Sequence, residues 1–147
     1  MSNPAIEVIG TKELSRALEK LGDEIKREAS NEVEYTGQEL RTEIIRKYQD
    51  GPATGGMYFL KNPNRTHRAS AVGEYPMSDT GRLATGTIFK RIAALSVQVS
   101  NNIKYAAPLE FGSRGQGPRP AWRDTVDETQ PKFLKRLAAI ISKEVKQ

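Results

Sequence analysis

The chain has 147 residues, of which 37% are hydrophobic and 28% charged, values typical of one globular domain with a modest core. It contains no cysteine and one histidine, which excludes disulfides and thiol catalysis and argues against a zinc site, so neither a metal nor a cofactor is predicted. No apolar run reaches the length of a membrane span, and the N-terminus lacks the features of a signal peptide. We therefore expect a protein that is made in the cytosol and has no membrane partner.

The net charge of +5 is unevenly distributed along the chain. Residues 1–50 carry 8 Lys/Arg and 11 Asp/Glu, a balance of −3, whereas residues 51–147 carry 15 and 7, a balance of +8. A basic half is typical of proteins that contact nucleic acid or an acidic protein surface. It is about equally typical of a solvated basic face.

A long apolar stripe predicts an amphipathic helix over residues 11–50. Its members recur every three or four residues and are Leu14, Leu18, Leu21, Ile25, Ala29, Val33, Thr36, Leu40, Ile44 and Tyr48. Thr11 fits the N-cap, Asp50-Gly51-Pro52 is a strong stop, and Gly22 and Gly37 are predicted positions for a break or bend. Because two or three short strands cannot cover so long a stripe, we expect the C-terminal helix or another subunit to cover part of it.

Residues 51–82 are predicted to form a long irregular loop. They show neither helical nor strand periodicity, and they contain Gly73, Pro76 and Gly81. Loops of this length inside a small domain are usually functional or disordered. Within this loop, residues 58–60 form a short apolar patch that either anchors the loop to the core or contacts a partner.

Residues 83–111 are predicted to form a small antiparallel meander. Residues 88–92 fit a first strand, and residues 95–99 alternate between apolar and polar side chains, as a half-buried strand does. Residues 101–102 are both Asn and favour a tight turn. Residues 103–105 then continue the alternation on a return strand.

Residues 112–120 form a second glycine-rich loop, which carries Arg114 and Arg119, and residues 121–146 predict C-terminal helices. A short first helix precedes a further helix that begins at Pro131. The inner stripe of that helix is predicted to be Leu134, Leu137, Ile141 and Val145. The predicted fold class is α+β, one domain in which a long N-terminal amphipathic helix and a C-terminal helix pack on a small antiparallel β-sheet, with a long irregular loop between.

The residue types of a catalytic triad occur in the long loop, where Ser70, Ser78 and Asp79 flank the single histidine, His67. No nucleophile elbow accompanies them. An exposed loop histidine is the better interpretation, so the sequence does not predict an enzyme.

Binding of DNA phosphates without sequence specificity, by a small basic protein, is the alternative function. The arginines available for a basic surface are Arg65, Arg68, Arg82, Arg91, Arg114, Arg119 and Arg123. Tyr75 or Trp122 is available for stacking on bases. However, aromatic residues and arginines are not interleaved on one element, and neither a helix-turn-helix nor an RRM pattern occurs.

Three motifs follow one another in the central part of the chain. The first is His67–Pro76 with Asp79-Thr-Gly-Arg-Leu83, the second is Ile103–Ser113 with its Tyr-Ala and Glu-Phe-Gly elements, and the third is Pro118-Arg-Pro120 before the last helix. In order and spacing, residues 55–130 resemble the small neck proteins of long-tailed bacteriophages, called head–tail joining, head–tail connector or tail-completion proteins. That family commonly has Pro-Phe-Leu-Arg-Pro-Ala at the start of the last helix, whereas this chain has Pro-Ala-Trp-Arg-Asp-Thr.

The resemblance implies a structural virion protein of the phage tail or neck, present in the host cytoplasm during assembly. It would form a homo-oligomeric ring, by implication a hexamer, at the head-proximal end of the tail. Its partners would be copies of itself, the tail tube, and the neck or connector proteins, and DNA would pass through its channel without sequence-specific binding. The motifs do not distinguish among the layers of the neck. The residues expected at subunit or partner contacts are Tyr58, Phe59, His67, Arg68, Glu74, Tyr75, Asp79, Arg82, Glu110, Arg114 and Arg119.

Overall fold

The computed structural model describes residues 3–9, 16, 19, 22–61 and 64–145 of the chain. It confirms the α+β fold class, with two long helices and small antiparallel sheets. No helix among these residues is both long and apolar enough to cross a lipid bilayer. In chain order the elements are β1 (Ala5–Ile9), α1 (Asp23–Asp50), β2 (Met57–Lys61), β3 (Asn64–Arg68), α2 (Arg82–Thr85), β4 (Thr87–Ala93), β5 (Ser96–Asn101), α3 (Ala106–Phe111) and α4 (Ala121–Val145).

Helix α1 buries the predicted apolar stripe. The stripe residues from Ile25 to Tyr48 all have buried side chains, and these line one side of the core. The helix begins at Asp23, because Gly22 has a φ of 93° and leaves the helical conformation there. The earlier part of the predicted stripe, at Leu14, Leu18 and Leu21, and the predicted N-cap Thr11 lie outside the described residues.

Gly37 does not break α1, contrary to one of the two predicted positions. A Cβ atom at this residue would lie 2.6 Å from Val97 Cγ2 and 2.7 Å from Phe89 Cε2. Glycine therefore allows the helix to pack closely on the sheet, at the expense of helix propensity.

The main sheet has the strand order β1-β5-β4, with both pairs antiparallel. Val99 on the central strand lies opposite Ile6 of β1 and Phe89 of β4. The third strand is therefore residues 5–9, and the predicted return strand at residues 103–105 is wrong.

The side chain of Asn101 explains why the chain leaves the sheet at that point. Asn101 is buried, its amide donates to the Leu83 carbonyl, and its side-chain oxygen accepts the Ile103 backbone N–H. These bonds direct the backbone into α3 instead of a hairpin turn. Pro108 then lies in the first turn of α3, where a missing N–H costs little.

Part of the segment predicted as irregular is a β-hairpin. Strands β2 and β3 pair antiparallel, with Tyr58 opposite His67 and Phe59 opposite Thr66. The sequence did not predict it because β3 reads Asn-Arg-Thr-His-Arg and has no apolar alternation. Residues 51–56 and 69–81 of the segment are without helix or strand, and Arg82, its predicted last residue, already belongs to α2.

Helix α4 is continuous, so the predicted start of a separate helix at Pro131 is wrong. Pro131 is tolerated because both it and Asp127 are exposed. The Asp127 carbonyl, which loses its helical hydrogen-bond partner, is therefore open to water.

Leu137 packs against Ile25 and Ala29 of α1, which confirms that the C-terminal helix covers part of the long stripe. Leu134, predicted to face inward, is 54% exposed. Phe133 and Ile140 pack in its place.

Candidate functional site: a loop platform that carries a β-hairpin

The three motifs that carry the family resemblance pack against one another. The Gly73 N–H donates to the Pro118 carbonyl at 3.0 Å, and the Arg119 guanidinium donates to the Ser70 carbonyl at 3.1 Å. The Arg119 backbone N–H donates to the Leu109 carbonyl of α3 at 2.7 Å. We call residues 69–80 together with residues 112–120 the loop platform.

Glu74 fastens the loop platform to the chain that enters the hairpin. Its carboxylate accepts the Thr54 backbone N–H at 3.1 Å, the Thr54 hydroxyl at 2.5 Å and the Ala71 N–H at 2.8 Å. The Thr54 hydroxyl bond, followed by the two backbone bonds, lowers the pKa of Glu74 below its ordinary value. This predicted contact residue therefore has a structural role inside its own chain.

The platform is also attached to the end of α1. Tyr75 packs against the main core cluster, and the Lys47 ammonium lies 4.9 Å from the centre of its ring. Lys47 is buried and pairs with Glu128 of α4 at 2.9 Å. The Ser78 N–H donates to the Tyr48 carbonyl at 2.9 Å. Residues 69–80 are thus held by the core and do not form a free loop.

The hairpin projects from this platform on a narrow base. Gly55 and Gly56 exchange backbone hydrogen bonds of 2.9 Å with Ala69. The Arg65 guanidinium donates to both carboxylate oxygens of Asp79, at 2.5 and 2.7 Å, and His67 Nδ1 lies 3.4 Å from the same carboxylate. Asp79 therefore anchors one face of the hairpin, and the hairpin has few contacts with the other helices and strands.

The two faces of the hairpin differ sharply. Leu60, Arg65 and His67 lie on the inner face, which faces Asp79, and Tyr58 shares this face with 57% exposure. We call the opposite side the outer face of the hairpin, and its side chains are Met57, Phe59, Lys61, Asn64, Thr66 and Arg68. All of these are exposed, Phe59 to 80% and Met57 to 46%. Exposed apolar side chains on a projecting strand pair are typical of a contact surface.

Of three other predicted contact residues, Arg114 lies in the loop platform and Arg82 and Glu110 lie outside it. Arg82 is the exposed first residue of α2, and Arg114 is exposed at the tip of the second loop. Glu110 is buried, and its carboxylate accepts the backbone N–H groups of Trp122 at 3.0 Å and Arg123 at 2.9 Å. It therefore caps the N-terminus of α4. Burial raises the pKa of Glu110 above its ordinary value, although the two hydrogen bonds act in the opposite direction.

A groove between β1 and α4 was not predicted from the sequence. It consists of two adjoining hollows of about 180 and 260 Å³ that share Ile6 and Val126. Apart from these two, the apolar side chains of the groove are Pro4, Ala5, Leu40, Phe111, Trp122 and Phe133. We call this feature the β1–α4 groove. Its only sequence signal was the short apolar segment at residues 5–9, which pairs with a strand ninety residues away.

Comparisons of the chain with models of protein families, with curated proteins and with solved structures gave no match.

Proposed function

We propose that this chain is a structural virion protein of a tailed bacteriophage, a tail-completion or head–tail joining subunit that forms a ring at the head-proximal end of the tail. The resemblance of residues 67–83, 103–113 and 118–120 to small phage neck proteins is its starting point. The observation that supports it most directly is the packing of these three segments into one platform with an exposed apolar hairpin.

The chemistry of the platform favours assembly over catalysis. Glu74, Asp79 and Arg119 are all engaged in bonds that hold the platform and the hairpin in position. What the hairpin offers to a partner is apolar, at Met57 and Phe59, with cations at its margin. DNA phosphates are bound chiefly by cations, whereas exposed apolar residues suit a protein surface.

A complementation assay tests the proposal in a phage that lacks the gene. The wild-type protein should restore the joining of heads to tails, and Phe59→Ala should restore it poorly because the apolar contact is lost. Ile92→Ala is the matched control, since Ile92 is also an exposed apolar residue, 49% exposed, but lies on β4. Failure of the wild-type protein to restore joining would contradict the proposal.

Light scattering at low and moderate salt, with and without duplex DNA, separates the proposal from the alternative of a DNA-binding protein. Self-association, or assembly only with tail components, supports the neck function. A DNA complex that weakens steeply with salt, from a chain that does not self-associate, would identify phosphate binding instead.

A further inference from the structure

We propose that the outer face of the hairpin of one copy docks into the β1–α4 groove of a second copy. The inference rests on the proposed function and deepens it, because it assigns the two surfaces from which a ring would be built. The contact joins two different patches, so repetition of the same contact generates a closed ring or an open filament.

The apolar centre of the hairpin is suited to insertion. Phe59 is 80% exposed, and Met57 lies beside it on the same face of the same strand. A large aromatic side chain left in water is a typical anchor when a pocket is available to it. Thr66, directly opposite Phe59, is small and leaves the ring unobstructed on that side.

The groove offers a matching pocket. The hollow lined by Ile6, Leu40, Val126 and Phe133 measures about 180 Å³. A cavity of about 150 Å³ in another protein accommodates benzene, so this hollow has room for the Phe59 ring. The adjoining hollow of about 260 Å³ provides room for a second apolar side chain such as Met57.

Charge favours the same pairing. Residues 57–68 contain Lys61, Arg65 and Arg68 and no acidic residue. Arg65 is paired with Asp79 on the inner face, so Lys61 and Arg68 are the cations of the outer face.

The margin of the groove has the opposite charge. Glu7 and Asp127 are exposed carboxylates that line it. Arg123 also lines it but lies 3.1 Å from Asp124, which offsets its charge. An apolar centre with complementary charges around it fixes both the register and the orientation of a docked hairpin.

The hairpin cannot serve the groove of its own chain in this arrangement. Its inner face is held by Asp79, and Phe59 on its outer face remains exposed in the single chain. A second copy is therefore the occupant that the surfaces of this chain specify.

Cysteine cross-linking tests the contact directly, because the natural chain has no cysteine. Thr66→Cys places a thiol next to Phe59, and Gln130→Cys places one in the groove lining. A disulfide forms only when the two Cα atoms come within roughly 4.4–6.8 Å. We expect rapid cross-linking when the two variants are mixed with a mild oxidant that accepts the two electrons of each disulfide. The control mixture pairs Thr66→Cys with Thr42→Cys, an exposed position outside the groove, and should cross-link slowly.

Charge reversal and rescue provide the second measurement, by sedimentation across a concentration series. Phe59→Ala should weaken self-association about thirtyfold or more, as loss of a buried anchor does. The double change Lys61→Glu and Arg68→Glu should weaken self-association about five- to tenfold, as loss of two ion pairs at the margin of an interface does. Combining that double variant with a partner carrying Glu7→Lys and Asp127→Lys should restore association.

The outcomes separate this inference from the proposed function. Rings that restore head–tail joining without the Thr66–Gln130 cross-link would overturn the docking and leave the function standing. Specific cross-linking in a protein that does not restore joining would overturn the proposed function and leave the docking standing. A chain that stays monomeric and uncross-linked at every concentration overturns the docking. If that monomer binds a purified tail protein through the groove, the occupant is the tail protein.

Discussion

The cap of α4 by Glu110 gives the most direct test of how the motif region is built. Glu110→Ala removes a buried acceptor from two backbone N–H groups, those of Trp122 and Arg123. Each N–H left buried without a partner costs about 1–3 kcal/mol, and loss of a helix cap costs about 0.5–2 kcal/mol. The substitution also removes a buried carboxylate that is poorly hydrated, and the desolvation cost recovered in this way offsets part of the loss in stability. We expect a net loss of about 2–3 kcal/mol in the free energy of unfolding, or ~5–10 °C in Tm.

The assay is urea unfolding followed by tryptophan fluorescence and circular dichroism. Glu110→Gln is the matched variant, because it keeps one acceptor oxygen, and it should lose only about 1 kcal/mol. Glu43→Ala, which removes a partly exposed carboxylate of α1 paired with Arg46, should cost less than about 1 kcal/mol. If Glu110→Ala is as stable as Glu43→Ala, the capping role is refuted, and the residue is available for the partner contact predicted from the resemblance.

The pH dependence of Glu110 has a definite sign. Its folded-state pKa lies above the ordinary value of 4.5, so the folded state binds the proton more tightly than the unfolded state. This contribution to stability is present below pH 4.5 and is lost as the pH rises through the folded pKa. The stability of the natural protein relative to Glu110→Gln should therefore be greater below pH 4.5 than at neutral pH.

Three further experiments test the platform and the core. Gly37→Ala should destabilise the fold by about 1 kcal/mol in urea unfolding, because overpacking against the sheet costs about 1–3 kcal/mol and outweighs a gain of about 1 kcal/mol in helix propensity. Arg119→Ala should lose about 1–2 kcal/mol, since it leaves a buried carbonyl unpaired, whereas the exposed Arg114→Ala should change stability by less than about 0.5 kcal/mol. The Thr54 amide resonance should titrate with Glu74 at a midpoint below 4.5, because the hydrogen bonds to Thr54 and Ala71 lower the pKa of that carboxylate. The stability that these bonds contribute is present above the unfolded-state pKa and is lost as the pH falls through the folded-state pKa.

Each of these has a clear contrary result. A stabilised Gly37→Ala protein would mean that the side chains of Phe89 and Val97 shift to accommodate the methyl group without a loss of stability. Equal effects of Arg119→Ala and Arg114→Ala would show that the hydrogen bonds of Arg119 to the Ser70 carbonyl add no stability. A midpoint for the Thr54 amide above 4.5, or the same titration in Glu74→Gln, would show that another carboxylate is observed.

Periodic patterns predicted the elements that bury one face against the core. The stripe from Ile25 to Tyr48 and the alternation at residues 95–99 both correspond to buried faces in the structure. These predictions succeeded because burial of one face imposes the period of the element on its sequence.

The elements that failed are defined by contacts rather than by their own pattern. Strand β1 is too short to identify without its distant partner β5. The inner face of the β2–β3 hairpin is held by polar contacts of Arg65 and His67 with Asp79, so β3 shows no apolar alternation. Asn101 was interpreted as a turn residue, whereas its buried side-chain bonds direct the chain into α3. Of the candidate site, the exposed Phe59 was predicted, but the groove was not, because it exists only where β1 meets α4.

The position of the single tryptophan has a practical consequence. Trp122 is 3% exposed, its indole N–H donates to the buried Tyr48 hydroxyl, and its side chain also lines the larger hollow of the β1–α4 groove. The chain thus carries an intrinsic fluorophore at a point shared by its core and its groove. Emission should shift to the red on unfolding, while an occupant of the groove should change the intensity without that shift. One unlabelled optical signal can therefore distinguish loss of the fold from filling of the groove.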